Sequence, residues 1–421
     1  MSLDPTPPQN KKSITRRALL ATAAGTLGAT VLPATRDASA EPAAMQRGGV
    51  KDTTKIQGHP ARSVGQRAPA ETPQRLTYGN PPRGSLTPLQ DLRGITTPAD
   101  LHFERHHGGV PQIDPQNYSL LIHGMVERPM IFTLDDLKRF PPESRFHFLE
   151  CSGNGSSGYI GLGPERTPQQ IDGLTSNSEW TGVPLATLFT EVGASPDASW
   201  FLAEGADAAV MTRSIPVEKA FDDAMIAYGQ NGEAIRPEQG YPARLLLPGW
   251  EGNSNVKWIR RIELADAPFM TRDETSKYTD PLADGTARQF SFVMDAKSII
   301  TFPAYPAKLP ERGYWEITGI AWTGRGKITR VEVSTDGGDT WQQAELQQPV
   351  LPKCHTRFRL LWNWQGEDAL LLSRAVDETG YVQPTVQQLR EARGPATHYH
   401  YNNIRAWKVA GDGNVTFGLE D

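Results

Sequence analysis

The chain has 421 residues, too many for one ordinary domain, so we expect two or three domains. Hydrophobic residues make up 38% of the chain, which is enough to fill sizeable cores. A net charge of −5 and the lack of a Lys/Arg stripe argue against a nucleic-acid-binding protein. The 34 prolines and 39 glycines favour short strands and many turns over long helices.

Residues 1–40 have the features of a targeting segment. Two basic pairs, Lys11-Lys12 and Arg16-Arg17, precede a mildly apolar stretch at 18–32, and Ala38-Ser39-Ala40 is typical of a cleavage site. The paired arginines in ITRRALLATAAG resemble a twin-arginine signal, which exports proteins after they have folded. A disordered basic tail is the alternative interpretation.

Export in a folded state favours a bound cofactor, because proteins that acquire a complex cofactor in the cytoplasm are often exported this way. No later segment has the ~20 apolar residues that a membrane span needs. We therefore expect a periplasmic protein without a membrane span.

Residues 41–95 are rich in Pro, Gly, Arg and Gln and show little periodicity. This composition predicts an extended N-terminal arm that wraps the body or is partly disordered. Residues 96–287 then mix short strands with helices. YSLLIHG (118–124) and RLLLPG (244–249) are typical of strands.

Two segments of this mixed region predict helices. TLDDLKRF (133–140) has Thr133 as an N-cap and acidic residues in its first turn. VPLATLFTEVG (183–193) predicts an amphipathic helix that ends at Gly193.

The character of the sequence changes at about residue 288. The stretch at 313–346 predicts three strands separated by turns, with one turn at Asp336-Gly337-Gly338. FRLLWNW (358–364) and ALLLSRAVD (369–377) continue the strands. Residues 288–421 are therefore predicted to form a β-sandwich of immunoglobulin size, which makes the whole chain an α+β protein.

The first candidate site is LHFERHHGGVP (101–111). If it were helical, His102 and His106 would share one face, and a zinc or copper site could form there. The Gly-Gly-Val-Pro exit suits a loop better, and Arg105 with its histidines would then bind an anion. A surface cluster without a role is the third interpretation.

The second candidate is FLECSGNGSSGY (148–159). The sequence predicts a strand that ends at Cys151, and a Gly- and Ser-rich loop with exposed backbone N–H groups follows. Such a cysteine could be a nucleophile, as in a Cys–His hydrolase, or a soft metal ligand. In an oxidising compartment, a disulfide bond to Cys354 is the alternative.

The third candidate is NGEAIRPEQGYPARLLLPGWEGNSNVKWIRRIEL (231–264). Its glycines and prolines bracket Arg244 and Lys257, which would suit a phosphate cradle. A loop between two strands with solvated cations is the alternative.

Together and in this order, the three stretches resemble the sulfite oxidase family of molybdopterin enzymes. FERHH is similar to the family's pterin-binding loop, CSGN to the C-x-G-N loop, and GYPARLLLPGWEGNSNVKW to the P-x-R…P-G…G…V-K-W segment. The match runs from about residue 96 to 410. It implies a mixed α/β molybdopterin-binding catalytic domain at 96–287 and an immunoglobulin-like dimerisation domain at 288–421.

The resemblance also implies roles for single residues. Cys151 would be the thiolate ligand of molybdenum, with Arg105 and Tyr278 as further catalytic residues. The residues implied around the pterin cofactor are Phe103, Arg105, His106, His107, Asp207, Arg244, Asn255, Val256 and Lys257. The implied cofactor is molybdenum–molybdopterin. The chain has no C-x-x-C-H motif, so we expect no haem in it.

The sequence departs from the family's sulfite oxidases beside the CSGN loop. Two arginines usually follow C-x-G-N, but Gly155 and Ser156 stand here, and a late substrate arginine falls at His400. Gln239 replaces a histidine of the cofactor segment, and Ser254 an arginine. Fewer fixed cations predict weaker capture of a small dianion such as sulfite.

With these losses, LTPLQDLRGITTPADLHFERHHGGVP resembles the catalytic subunit of periplasmic sulfane dehydrogenases. That resemblance implies oxidation of sulfane sulfur on a carrier-protein cysteine, with oxygen from water and electrons to a c-type cytochrome subunit. It also implies a homodimer, or a heterotetramer with the cytochrome. Two alternatives stay open: a sulfite dehydrogenase acting on free sulfite, and a non-catalytic binding protein with a Cys151–Cys354 disulfide bond.

Overall fold

The computed structural model describes residues 57–161, 163–282, 284–394 and 397–418. The predicted twin-arginine segment lies outside these residues. The chain divides into two compact units, residues 1–66 and 67–421. In the first unit, the described residues 57–66 contain no helix or strand. No described helix is both long and apolar enough to cross a membrane.

The second unit begins with a small antiparallel sheet. Its strands are β1 (Leu76–Tyr78), β2 (Gly84–Leu86) and β3 (Glu104–Arg105), in the order β1-β2-β3. Two short segments of the predicted N-terminal arm, Leu76–Tyr78 and Gly84–Leu86, are thus strands of this sheet. The two strands of this segment are three residues each, too short for their alternation to be visible in the sequence, and their third partner is the FERHH loop.

Two five-stranded sheets follow. The first contains β6 (Glu143–Glu150), β7 (Thr175–Pro184), β10 (Met225–Gln230), β11 (Glu233–Ala234) and β12 (Arg244–Leu246). The second contains β4 (Ser119–Gly124), β5 (Met130–Thr133), β8 (Trp200–Gly205), β9 (Thr212–Pro216) and β13 (Ile259–Ala265). Strands β4 and β13 are parallel, whereas the other pairs of both sheets are antiparallel.

The helices of this region are short. They are α1 (Leu134–Arg139), α2 (Ser156–Ile160), α3 (Pro168–Asp172), α4 (Leu185–Val192), α5 (Val217–Asp222) and α6 (Arg272–Thr275). Both predicted helices are confirmed. Thr133 and Asp136 form a reciprocal capping box at the start of α1. Gly193 ends α4 in the left-handed conformation (φ 66°), and its N–H donates to the carbonyl of Phe189.

A shared apolar core holds the second sheet and its helices together. Residues from β4, α4 and β13 contribute its fully buried side chains, among them Leu120, Ile122, Leu188, Phe189, Ile259 and Ile262. The alternation in YSLLIHG explains this placement, because Leu120 and Ile122 point to one face of β4.

The C-terminal part is a β-sandwich, as predicted. A two-stranded ribbon, β14 (Asp280–Pro281) and β15 (Ala287–Arg288), precedes it. One sheet contains β16 (Lys297–Phe302), β17 (Gly313–Trp322), β20 (Glu345–Leu346) and β21 (Thr356–Trp364). The other contains β18 (Ile328–Ser334), β19 (Gln342–Gln343), β22 (Ala369–Asp377), β23 (Arg405–Val409) and β24 (Val415–Gly418), with α7 (Val386–Arg393) between β22 and β23. The fold class is thus α+β.

A buried ion network joins the sandwich to the end of β6. Lys297 on β16 lies 2.7 Å from Glu150 and 3.2 Å from Asp172. Arg405 on β23 also pairs with Asp172, at 3.0 Å. Trp322 on β17 donates its indole N–H to Glu150 at 2.6 Å. All four charged side chains are at most 1% exposed, so each depends on its partners for compensation of its charge.

We expect Lys297→Met to destabilise the protein by about 3–5 kcal/mol, because Glu150 would lose its cationic partner in a buried position. The control is Lys408→Met on β23, an exposed lysine, with an expected change within about 0.5 kcal/mol. Urea denaturation of both variants measures the difference. Equal losses of stability in the two variants would show that the network does not support the fold.

Candidate active site

One pocket brings all the predicted site residues together. Its lining contains Phe103, Arg105, His106, His107, Cys151, Asp207, Arg244, Asn255, Val256, Lys257 and Tyr278. It also contains residues to which the sequence analysis assigned no role, namely Glu104, Leu149, Met211, Gly252, Asn253 and Trp258. These side chains are far apart in the chain, so their convergence is a property of the fold.

Cys151 lies directly after β6, at the lip of the pocket. Its N–H donates to the carbonyl of Leu174 at 3.0 Å, and its own carbonyl accepts from the N–H of Asn154 at 2.8 Å. Burial raises the pKa of the Cys151 thiol, while the N–H of Gly153 and the charge of Arg105 act in the opposite direction. A metal ion at the sulfur would add the positive charge that favours the thiolate.

The proposed disulfide bond does not form, because both cysteines are free. The Cys354 thiol donates to the carbonyl of Phe146 at 2.7 Å. Phe146 precedes Cys151 by five residues on an extended strand, a separation of ~16 Å at ~3.3 Å per residue. Disulfide geometry requires the two Cα atoms to be within about 7 Å. The disulfide alternative is therefore wrong.

The histidine-metal alternative is also wrong. The 3₁₀ helix at Ala99–Leu101 ends before His102, which has extended backbone angles, so His102 and His106 do not share a helical face. The imidazole of His102 is buried, with Nδ1 at 2.9 Å from the carbonyl oxygen of Phe103. No cluster of three or more His, Cys, Asp or Glu side chains suited to a metal ion occurs in the described part of the chain.

Lys257 anchors the FERHH loop to the wall of the pocket. Its ammonium group donates to the carbonyl of Arg105 at 3.2 Å and to Nδ1 of His106 at 2.9 Å. Nε2 of His106 is then free to donate to Glu104, at 2.6 Å. This hydrogen bond is the main reason that the pKa of Glu104 falls to about 2, and burial lowers the pKa of His106.

Arg244 and Gln239 hold the same loop from the other side. Gln239 donates its side-chain amide to the carbonyl of Phe103 at 2.7 Å. Arg244 donates to the carbonyls of Gln239 and Asn255 at 3.0 and 2.9 Å, and its guanidinium lies 5.1 Å from the ring centre of Trp180. Gln239, which replaces a histidine of the family, therefore helps to position the FERHH loop.

Arg244 and Lys257 are cations without carboxylate partners. Within the described ranges, neither lies within 4.0 Å of an Asp or Glu carboxylate oxygen, and the contact of Lys257 with Glu238, at 2.9 Å, is to the backbone carbonyl. Burial lowers the pKa of Arg244 to about 9; burial and the neighbouring Arg244 lower that of Lys257 to about 7. Buried cations are costly without an anion, so this end of the pocket is suited to a phosphate group.

Asp207 and Asn255 order the backbone around this end of the pocket. The Asp207 carboxylate accepts from the N–H of Met211 at 3.1 Å and closes a turn. The Asn255 amide oxygen accepts from the N–H of Leu247 at 2.6 Å, and its nitrogen donates to the carbonyl of Glu251 at 3.0 Å. Both side chains therefore shape the pocket as well as lining it.

Tyr278 contacts the FERHH loop from the opposite side. Its hydroxyl lies 3.0 Å from Nε2 of His107. Burial lowers the pKa of His107 to about 4 and raises that of Tyr278, with a smaller contribution from Cys151. At neutral pH the phenol is therefore protonated and lies against a neutral imidazole.

The structure adds Arg213, which the sequence did not single out. It is fully buried on β9, its guanidinium lies 4.9 Å from the ring centre of Tyr278, and it pairs with Glu251 and Glu274 at 3.2 and 3.1 Å. It also donates to Asn253, which donates to the Ser152 hydroxyl at 3.0 Å. An arginine in TRSIP has no local signal that distinguishes it from an exposed one.

The departures beside Cys151 have a structural explanation. A Cβ at Gly155 would clash with the guanidinium of Arg405, and Gly155 has φ 91°, so a side chain does not fit. The charge of Arg405 is compensated by Asp172. His400 is buried behind the loop. Its backbone N–H donates to the carbonyl of Ser152 at 2.8 Å, and its Nε2 lies 3.4 Å from the Glu251 carboxylate.

Two family models match the chain. Residues 107–272 match the oxidoreductase molybdopterin binding domain, and residues 288–406 match the Mo-co oxidoreductase dimerisation domain. Together the two matches cover more than half of the chain.

Curated relatives belong to two kinds of enzyme. Nitrate reductase [NADH] 1 of Nicotiana tabacum is 32% identical over 362 residues, which are 74% of this chain and 39% of that protein. Mitochondrial sulfite oxidase of Drosophila melanogaster is 31% identical over 339 residues, 73% of this chain and 59% of that protein. The chain thus spans 39% of the nitrate reductase's length and less than two thirds of the sulfite oxidase's.

The chain therefore belongs to the sulfite oxidase family of molybdopterin oxidoreductases and is a molybdenum-dependent enzyme. Among solved structures, it resembles the sulfane dehydrogenase SoxCD from Paracoccus pantotrophus. That match has 43% sequence identity and a TM-score of 0.77, and it covers 91% of this chain and 97% of the other.

The pocket fits the family's cofactor. The unpaired cations Arg244 and Lys257 suit its phosphate end, and the Nε of Arg244 is buried without a hydrogen-bond partner among the described residues. Cys151, at the other end, offers the soft sulfur that a high-valent metal accepts.

We expect Lys257→Gln to weaken retention of the cofactor about tenfold or more, because a hydrogen bond to a charged group contributes about 1.5–3 kcal/mol. Molybdenum by mass spectrometry and pterin by fluorescence, both after dialysis, measure this retention. The control is Lys308→Gln, an exposed lysine outside the pocket. Full molybdenum and pterin in Lys257→Gln would contradict the assignment of the phosphate end.

Proposed function

We propose that the protein oxidises sulfane sulfur bound to a cysteine of a carrier protein and passes the electrons to a c-type cytochrome. The carrying observation is that, among the described residues, the loop that follows Cys151 provides no free cation. Gly155 stands where sulfite oxidases have an arginine, and the arginine next to it, Arg405, is neutralised by Asp172. A site with few free cations binds a small dianion weakly and accepts a larger, less charged sulfur group.

The similarity to a sulfane dehydrogenase supports this proposal. The identity of 43% to that structure is higher than the 31–32% to the sulfite oxidase and nitrate reductase relatives. The similarity also extends over almost the whole of that chain, whereas the nitrate reductases are much longer.

When bound, the cofactor would supply an oxygen atom, ultimately from water, and accept two electrons from sulfur. Cys151 would hold the metal through its thiolate. Arg105 lines the pocket beside it and would stabilise the negative charge that develops on oxygen bound to sulfur.

The remaining polar groups orient the reacting atoms. Tyr278 stays protonated and is fixed by His107 on one side and by the Arg213 guanidinium on its ring face. Its hydroxyl therefore has one defined direction and can hold a proton at the substrate side of the pocket. Phe103 and His106 are kept in place by Gln239 and Lys257.

Electron transfer and assembly belong to the same proposal. A c-type cytochrome subunit would accept the electrons one at a time and would carry the haem. The match to a dimerisation domain at 288–406 fits a homodimer or a heterotetramer with that cytochrome. Export by the twin-arginine route would place the enzyme in the periplasm with its carrier protein.

Free sulfite is the second candidate substrate. Arg105 offers a planar cation beside Cys151, and the chain is 31% identical to a sulfite oxidase. Steady-state assays with cytochrome as acceptor compare kcat/KM for free sulfite with that for carrier-bound sulfane sulfur. The proposal predicts a clear preference for the carrier-bound substrate, and a preference for sulfite would establish the second candidate instead.

We expect Cys151→Ser to abolish turnover, by at least about a thousandfold, because the thiolate that tunes the metal is lost. The fold and much of the pterin should remain, as circular dichroism and pterin fluorescence would show. Cys354→Ser is the matched control, since this buried cysteine makes its hydrogen bond to Phe146 outside the pocket. Full activity of Cys151→Ser would refute its assignment as the metal ligand.

A further inference from the structure

The small N-terminal sheet brings a tyrosine into line with the substrate arginine. In the register of this sheet, Tyr78 on β1 pairs with Gly84 on β2, and Gly84 pairs with Arg105 on β3. Side chains of directly paired residues lie on the same face of a sheet. Tyr78 and Arg105 therefore project from one face, with Gly84 between them, and Arg105 lines the pocket.

The missing side chain at Gly84 lets the tyrosine ring lie across β2. A Cβ added to Gly84 would be 2.5 Å from both Cζ and Oη of Tyr78, which is too close unless the ring moves. The ring therefore covers Gly84, and its hydroxyl is carried from β1 towards β3, where Arg105 lies. Adjacent strands are ~4.8 Å apart, so the hydroxyl has crossed about half of the distance between β1 and β3.

The hydroxyl at the end of this ring is buried and has no hydrogen-bond partner among the described residues. Tyr78 is not itself among the residues that line the pocket, but the ionisable groups close enough to interact with its hydroxyl include three that are, namely Cys151, Arg105 and Glu104. Glu104 is engaged by His106 at 2.6 Å, so it does not provide the missing partner. A buried polar group without a partner requires a specific explanation.

We propose that Tyr78 is a further substrate-binding residue, whose hydroxyl donates a hydrogen bond to a negatively charged oxygen on the oxidised sulfur group held by Arg105. The ligand class is a sulfur oxyanion, whether free or attached to a carrier. This role of Tyr78 rests on the proposed function. It requires only that the substrate carries an S–O⁻ group, so it holds whether or not that group is attached to a carrier protein. A neutral donor beside one arginine adds recognition without adding a second cation, as a site with few free cations requires.

Tyr78→Phe tests this inference, because it removes the hydroxyl and keeps the ring over Gly84. The probe is inorganic sulfate, and its dissociation constant for the purified holoenzyme is measured by calorimetry. We expect sulfate to bind about ten- to a hundredfold more weakly, which corresponds to one hydrogen bond to a charged group. Molybdenum content should equal that of the wild type. With sulfite as substrate, KM should rise more than kcat falls.

Two further variants separate this role from a structural one. Gly84→Ala leaves the hydroxyl in the protein but displaces the ring, so it should weaken sulfate binding in the same direction. Tyr228→Phe alters a partly buried tyrosine on β10 whose hydroxyl, unlike that of Tyr78, has neither Arg105 nor Cys151 in its surroundings, and it should bind sulfate as the wild type does.

Two results would overturn the inference. One is unchanged sulfate binding in Tyr78→Phe, and the other is loss of molybdenum, which would place the hydroxyl against the cofactor. Failure of the proposed function is a separate result. If the enzyme does not oxidise carrier-bound sulfur, the proposed carrier substrate is refuted. If Tyr78→Phe still binds sulfate more weakly than the wild type, the role of Tyr78 is supported independently.

Discussion

The structure depends on the buried charges at the end of β6. Glu150 immediately precedes Cys151, and it is compensated by Lys297 and by the indole of Trp322, both on strands of the sandwich. Buried charges of this kind are stable only with their partners in place, so the position of Cys151 is tied to the docking of the C-terminal sheet. The sandwich therefore helps to hold Cys151 in position, in addition to any contact that it makes in a dimer.

The pocket separates two electrostatic tasks. At one end, Arg244 and Lys257 lack carboxylate partners among the described residues and are suited to a phosphate. Outside the lining of the pocket, Arg213 and Arg405 are neutralised by buried carboxylates, whereas Arg105 lines the pocket and is the arginine that we propose to face the substrate. Strong cationic binding is thus directed to the cofactor, and substrate recognition relies on one arginine and neutral donors.

Elements of the structure could be predicted from the sequence where the pattern that determines them is local. The Thr133 capping box, the Gly193 terminus of α4 and the strand before Cys151 follow from short-range patterns, and the order of three motifs predicted the pocket residues. Contacts between distant segments carried no such signal. Arg213 and Tyr78 are unremarkable in TRSIP and LTYGN, and only the pairing of β1 with β2 and β3 brings the arm to the site. The same pairing explains why the composition of residues 41–95 did not reveal the two strands within them.

The central claim is that Cys151 provides a sulfur ligand to molybdenum. X-ray absorption at the molybdenum K-edge, on the wild type and on Cys151→Ser, measures the number of sulfur atoms bound to the metal. The account predicts one fewer molybdenum–sulfur bond in the variant than in the wild type. An identical sulfur shell in the two proteins would contradict it.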